Sequence, residues 1–360
     1  MQGGVHMNIV IEIGHPAHVH HFKNLIWALK NRGHTILICA FDKEVTLDLL
    51  NYYKFDYCIV GKNFGGNSFD KLVLLVTSEI NMIRMARHFQ PDLFVSRLSP
   101  PSAQVSKLFK KPHIAFADTE HAKLNDFLAV PFTDVICTPS CFLKDINDKH
   151  IRYDGYKELA YLHPNYFTPN PAVLTELGLI EGEPFIIVRF VSWQASHDVG
   201  HHGIRDKAGL VKALEPYGRI LITSEGQLPP ELEEYQLRIS PEKLHDLLYY
   251  ATLYIGEGGT TASEAAVLGT PSIYISSLVG TMGNFIELEK TYDLLFSFTD
   301  GDAALGKAVE ILQDPQSKEN WKIKRDRLLH EKIDVTAFMV WFIESYPQSF
   351  AEMNKHQKIS

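Results

Sequence analysis

The chain has 360 residues, more than a single hydrophobic core usually supports, so its length predicts two domains. Its 45% hydrophobic and 22% charged residues are ordinary for a globular protein, and a net charge of -8 argues against a general nucleic-acid binder, which would carry a basic face. No apolar run approaches the roughly 18 residues of a transmembrane helix, so no integral membrane segment is expected. Cys39, Cys58, Cys137 and Cys141 form no C-x-x-C pair, which predicts reduced thiols in a cytoplasmic protein. The opening "MQGGVH" reads as an alternative start rather than a targeting segment.

The first predicted strand is "NIVIEI" (8–13), short, β-branched and continuously apolar, as a strand buried on both faces should be. The loop "GHPAHVHH" follows, with His15, His18, His20 and His21 close together. A helix, "VHHFKNLIWALKNRG", stops at Gly33, and "HTILICAF" (34–41) is the second strand. "DYCIVG" (56–61), "PDLFVS" (91–96), "PHIAFAD" (112–118) and "TDVICTP" (133–139) continue the series, with helical segments between most of them. "KLFKK" (107–111) is the nearest approach to a basic patch and reads as a solvated helix end. A Tyr-, Pro- and Asn-rich stretch (151–171) reads as a connector, in which Tyr156 and Glu158 position a hinge.

The alternation then restarts with "PFIIVRF" (184–190), "GRILITS" (218–224), "TLYIGEGG" (252–259) and "PSIYIS" (271–276). Strands alternating with helices imply parallel, doubly wound sheets. The chain therefore reads as two Rossmann-like α/β domains facing a cleft, 7–160 and 161–334. A C-terminal helical segment, 335–360, would cross back to the first domain. Ligands in such folds bind beyond the carboxyl ends of the strands, which directs attention to the loops there.

Chemistry concentrates at "YIGEGGTTASEAAVLGTPS". Gly258 and Gly259 allow a tight turn, and a helix is expected from about Thr261 to Gly269. Backbone N–H groups at its start, with the helix dipole, suit a phosphate. Thr261 and Glu264 also match a capping box, and the two readings are compatible. Neither a Walker loop nor G-x-G-x-x-G is present.

"GGTTASEAAVLGTPSIYI" resembles the nucleotide-sugar signature of GT-B glycosyltransferases, the peptidoglycan N-acetylglucosaminyltransferase and the non-hydrolysing UDP-N-acetylglucosamine 2-epimerases being familiar relatives. The resemblance implies that Gly258, Gly259 and Thr260 face a diphosphate and that Glu264 holds the ribose hydroxyls. "GHPAHV…ALKNRGHTI" is similar to the first loop and helix of the same transferases. It puts His18 at the histidine ending their glycine-rich loop, although Pro16 and Ala17 stand where glycines are expected. With "ADTEHAKLND", "YDGYKELAYL" and "RFVSWQASHD" in order, the chain is identified as a member of the DUF354 family within this superfamily.

In "RFVSWQASHD", Arg189, Ser192 and His197 are then candidates to meet the diphosphate, with Ile239 a base contact and Asn284 and Glu287 near the donor sugar. In "FADTEHAKLND", Asp118, Glu120 and His121 form a cluster suited to acid–base work, while Asp118 or Thr119 capping the next helix is the plainer alternative. His18 is the expected catalytic or substrate contact, His15 a second one, and His20 and His21 the first turn of a helix. Adjacent carboxylates or thiols at zinc-ligand spacing are missing from the histidine cluster, so neither metal nor cofactor is expected.

The expectation is a metal-independent transfer of a sugar from a nucleoside diphosphate donor, a UDP-sugar, to a hydroxyl of an unknown glycan or lipid-linked acceptor, with His18, Asp118 or Glu120 as base. A 2-epimerase acting on a UDP-sugar and a nucleotide-sugar-binding protein without turnover are the alternatives. A monomer or homodimer, cytoplasmic or peripheral to the inner face of the membrane, with no nucleic-acid partner, completes the reading.

Overall fold

The structure, a computed structural model, describes residues 6–62, 68–191 and 204–357. The chain divides into two compact units, Met1–Tyr161 with Ile333–Ser360, and Leu162–Lys332. In the first unit the strands are β1 (Asn8–Ile13), β2 (Thr35–Asp42), β3 (Tyr57–Lys62), β4 (Leu93–Ser96), β5 (His113–Phe116), β6 (Val135–Pro139) and β7 (His150–Tyr153). All pair in parallel, in the order β3-β2-β1-β4-β5-β6-β7. The second unit holds β8 (Phe185–Phe190), β9 (Arg219–Ser224), β10 (Leu253–Gly256), β11 (Ser272–Ile275) and β12 (Leu295–Phe298), parallel in the order β12-β11-β10-β8-β9.

The apolar runs explain the central strands. Ile9, Val10, Ile11 and Ile13 of β1 are fully buried, because helices cover both faces of a parallel sheet and leave no polar side. Two short strands, β7 and β12, were not expected. β7 takes the first residues of the stretch read as a connector, with Ile151 and Tyr153 buried beside β6. In each sheet the strand order reverses once, between β1 and β4 and between β8 and β10. Such a reversal opens a crevice at the strand carboxyl ends, where open α/β sheets bind ligands.

The helix Val335–Glu344 belongs to the first unit. Asn24 and Thr336 both donate to the Ala160 carbonyl at 2.8 Å, and Glu344 pairs with Arg32 and His34. These contacts join it to the first helix, Pro16–Asn31. Among the described residues no helix is long and apolar enough to cross a membrane.

Buried histidines give this unit a pH dependence. His113 on β5 is fully buried, with Nε2 2.9 Å from Ser96 Oγ and Nδ1 3.0 Å from Thr133 Oγ1. Burial pushes its pKa down to about 3. The unfolded chain takes up a proton there near pH 6.5 and the folded chain does not, so this stability is present above pH 6.5 and is lost as pH falls toward 3. His113→Gln should remove one linked proton and flatten the dependence of unfolding free energy on pH between 6 and 4 by about 1.4 kcal/mol per pH unit. Denaturant titrations across that range check it, and an unchanged slope would refute the assignment.

Candidate functional site

At the reversal in the second sheet, β10 ends at Gly256 and the helix Gly259–Leu268 begins after a two-residue turn. The helix starts two residues before the position expected from the sequence, with Gly258 as N-cap and no side-chain cap. The predicted capping box therefore does not form. Thr261 lies inside the helix, and Glu264, 4% exposed, instead meets His245 Nε2 at 3.0 Å. The start of the helix thus presents backbone N–H groups and a positive dipole end with no side-chain cap.

Gly256 and Gly258 make this turn possible through Arg189, the penultimate residue of β8. A Cβ at Gly256 would lie 2.8 Å from the Arg189 backbone nitrogen, and one at Gly258 2.5 Å from its Cδ and Nε. The guanidinium thus lies across the turn, and Glu225 Oε1 holds its Nη2 at 2.9 Å. Tyr254 Oη, beneath, donates to the Gly258 carbonyl at 3.0 Å. Gly259 and Thr260 remain partly exposed at the helix start. Between Gly256 and Gly258 lies a residue that the motifs do not mark. Glu257, 4% exposed, accepts from Val191 N–H at 2.9 Å and Ile204 N–H at 2.7 Å.

Other expected contacts in this unit are dispersed. Ile239 is half-buried in a loop before Pro241, and Asn284 is buried in the helix Gly283–Lys290. Glu287 is drawn into an ion pair with Lys332 at 2.8 Å. Ser192 and His197 lie outside the described residues.

In the first unit the four histidines diverge. His15 is the N-cap of the helix Pro16–Asn31, its Nδ1 accepting from Ala17 N–H at 3.1 Å. His18 Nδ1 accepts from Gly14 N–H at 3.2 Å. His20 packs against Tyr53 and Tyr161, and His21 stacks on Phe22. Among the described residues no group of three or more His, Cys, Asp or Glu side chains is arranged to hold a metal ion.

Asp118, beyond β5, sits in a buried charge network. One carboxylate oxygen pairs with Arg97, which follows β4, and the other meets Lys157 Nζ at 2.7 Å. Lys157 also approaches Glu158 at 3.4 Å, and Arg97 Nη1 lies 2.9 Å from His21 Nδ1. Burial alone would raise the Asp118 pKa, but the charges of Arg97 and Lys157 outweigh it and hold the carboxyl well below its usual range. A carboxylate so held is a weak base, which counts against the expected proton-acceptor role for Asp118. Neither Asp118 nor Thr119 caps the helix Lys123–Ala129, whose N-cap is Ala122. Glu120 is 3% exposed and accepts from Leu143 N–H at 3.4 Å, and His121 is half-buried in the same turn.

The family model of the protein family of unknown function DUF354 matches residues 7–338. The chain belongs to DUF354. An uncharacterized protein of Methanocaldococcus jannaschii is 25% identical over 331 residues, covering 86% of this chain and 96% of that protein. Among solved structures, the glycosyltransferase VinC in complex with dTDP superposes with a TM-score of 0.61 at 13% identity, over 93% of this chain and 99% of that one. A candidate UDP-N-acetylglucosamine 2-epimerase from Listeria monocytogenes gives 0.67 at 12% identity, over 95% and 97%. These likenesses show the fold: this DUF354 protein has the two-sheet GT-B architecture.

Against that fold, the DUF354 chain gathers its polar side chains at the two sheet reversals. His18 follows β1 and Arg97 follows β4; Arg189 is the penultimate residue of β8 and Gly258 follows β10. Arg97 and Lys157 were not singled out from the sequence, and His21 was read only as part of the first turn of a helix. Each belongs to a different segment, and only the sheet order brings them to one place.

Proposed function

We propose that this protein is a glycosyltransferase that moves a sugar from a nucleoside diphosphate donor, a UDP-sugar, to an acceptor hydroxyl. The observation that carries the reading is the glycine turn after β10: an uncapped helix start, with Arg189 lying across Gly258. Backbone N–H groups and a guanidinium together can neutralise a leaving diphosphate, which makes the reaction metal-independent. Glu264, one helical turn further on and steadied by His245, is the ribose ligand. Gly259, Thr260, Ser192 and His197 contribute to the phosphate site, with Ile239 at the base and Asn284 at the donor sugar. The first unit binds the acceptor, a glycan or lipid-linked hydroxyl, through His15, His18, Glu120 and His121.

UDP-sugars are therefore expected to raise the melting temperature, and Glu264→Ala to weaken donor binding by about tenfold to a hundredfold, the loss of one or two hydrogen bonds to a charged group. A thermal-shift titration of both proteins checks this. The donor-site reading fails if no nucleoside diphosphate sugar shifts the wild-type protein.

The second reading is a UDP-sugar 2-epimerase, favoured by the structural likeness to the Listeria protein over 95% of the chain. Incubating the donor alone in heavy water separates the two. Exchange of the sugar C2 proton without an acceptor supports epimerisation, and donor-bound protein without exchange or diphosphate release supports binding alone.

A further inference from the structure

The main chain fixes the tautomer of two histidines at the mouth of the first sheet. Gly14 N–H donates to His18 Nδ1, and Ala17 N–H donates to His15 Nδ1. A ring nitrogen that accepts a backbone N–H carries no hydrogen itself, so in each neutral ring the proton sits on Nε2. Protonating Nδ1 would set two N–H groups against each other and break the contact. His18 also occupies the first turn of the helix Pro16–Asn31, where the positive end of the dipole opposes a charged imidazole.

The surroundings act in the same direction. Removal from water lowers the His18 pKa well below its ordinary value, and Arg97, His15 and His21 add to the effect, while Asp118 opposes it. Glu12, at the end of β1, faces the same spot, because a Cβ at Gly14 would lie 3.7 Å from both Glu12 Oε1 and the His18 ring. His15 Nε2 is turned toward Glu44, 3.7 Å away. His18 is half-buried, and among the described residues no hydrogen bond engages its Nε2.

A general base needs a lone pair aimed at the proton it removes. The one lone pair of the His18 ring is committed to Gly14, and what the ring offers is an N–H. We propose that His18 is a neutral hydrogen-bond donor to an electron-rich oxygen of the substrate, a phosphate or carbonyl oxygen, and not the base that takes the acceptor proton. The role rests on the transferase reading for its substrate, whereas the tautomer belongs to the protein alone. A neutral imidazole suits it, since a charged one would demand a proton that the helix start disfavours.

Two measurements test this. In the full chain labelled with 15N-histidine, His18 is assigned by the signal lost in His18→Gln, and two-bond 15N–1H correlations read its ring. The expected result is hydrogen on Nε2 only, unchanged from pH 8 to pH 5.5. Hydrogen on Nδ1, or titration within that range, overturns the proposal, and no substrate is involved. The second measurement is turnover of whichever UDP-sugar binds. Glutamine retains a side-chain N–H, so His18→Gln should lose about tenfold and His18→Ala about a hundredfold in kcat. The acid limb of the kcat/KM profile should survive in His18→Gln. Equal losses in both variants, with that limb abolished, would identify a base and refute the donor role. If no donor turns over at all, the transferase reading fails and the spectra still decide the tautomer.

Discussion

Replacing Asp118 by Asn should lower the unfolding free energy by about 3–5 kcal/mol, the cost of removing one partner from a buried ion pair. The side chains of Arg97, Asp118, Lys157 and Glu158 are 9, 6, 12 and 1% exposed, so water screens none of them well. With the carboxylate present, two cations face two anions. Asparagine leaves Arg97 and Lys157 beside Glu158 alone, and one buried positive charge goes unmatched. An exposed pair would contribute far less, commonly under about 1 kcal/mol. The loss should be smaller when Lys157→Met accompanies Asp118→Asn, since the second change removes the stranded ammonium. Denaturant unfolding of the two single variants and the double variant reads the coupling. Strict additivity would mean that the pair is not a unit, and an unchanged midpoint in Asp118→Asn would show that solvent reaches the site.

That network also explains which parts of the site the sequence exposed. The long apolar runs of β1, β2, β8 and β9 are visible because a strand buried on both faces has to be apolar along its length. β7 and β12 are four residues each, too short for a period to emerge, and β7 ends in the Tyr- and Asp-containing segment that resembles a linker. Asp118 stood out as part of an acidic and histidine-containing loop. Arg97 and Lys157 did not, because they lie 21 and 39 residues from Asp118 in sequence and no local motif marks either. The capping box shows the converse case. Thr261 and Glu264 have the right spacing, yet Glu264 bonds to His245 and the helix starts earlier, at Gly259. Local spacing lost to a long-range partner. For the histidines the sequence supplied the cluster, while backbone donors at Gly14 and Ala17, visible only in the fold, set the chemistry of His15 and His18.

Glu257 carries the other large expected effect. Its two carboxylate oxygens receive Val191 N–H and Ile204 N–H, and its own N–H donates to the Arg189 carbonyl at 3.0 Å. One buried side chain thus ties the end of β8 and the chain at Ile204 to the residue before the Gly258 turn. In Glu257→Gln one oxygen becomes an NH2 group that meets a backbone N–H, so one hydrogen bond to a charged acceptor is replaced by two opposed donors. A loss of about 2–3 kcal/mol follows, rising to about 3–5 kcal/mol in Glu257→Ala, where both buried donors lose their acceptor. The same change should loosen Arg189 against Gly258, so the melting-temperature rise expected with a UDP-sugar should shrink together with the stability. Glu225→Gln, which weakens the partly exposed pair with the Arg189 guanidinium, should leave the stability within about 0.5–1 kcal/mol of wild type. Denaturation curves and nucleotide-sugar thermal shifts on the three variants separate the outcomes. Were Glu257→Ala to keep both its stability and its ligand response, the carboxylate would have no part in shaping the turn. A stability loss with an undiminished ligand response would confine Glu257 to the scaffold and leave Arg189 positioned by β8 alone.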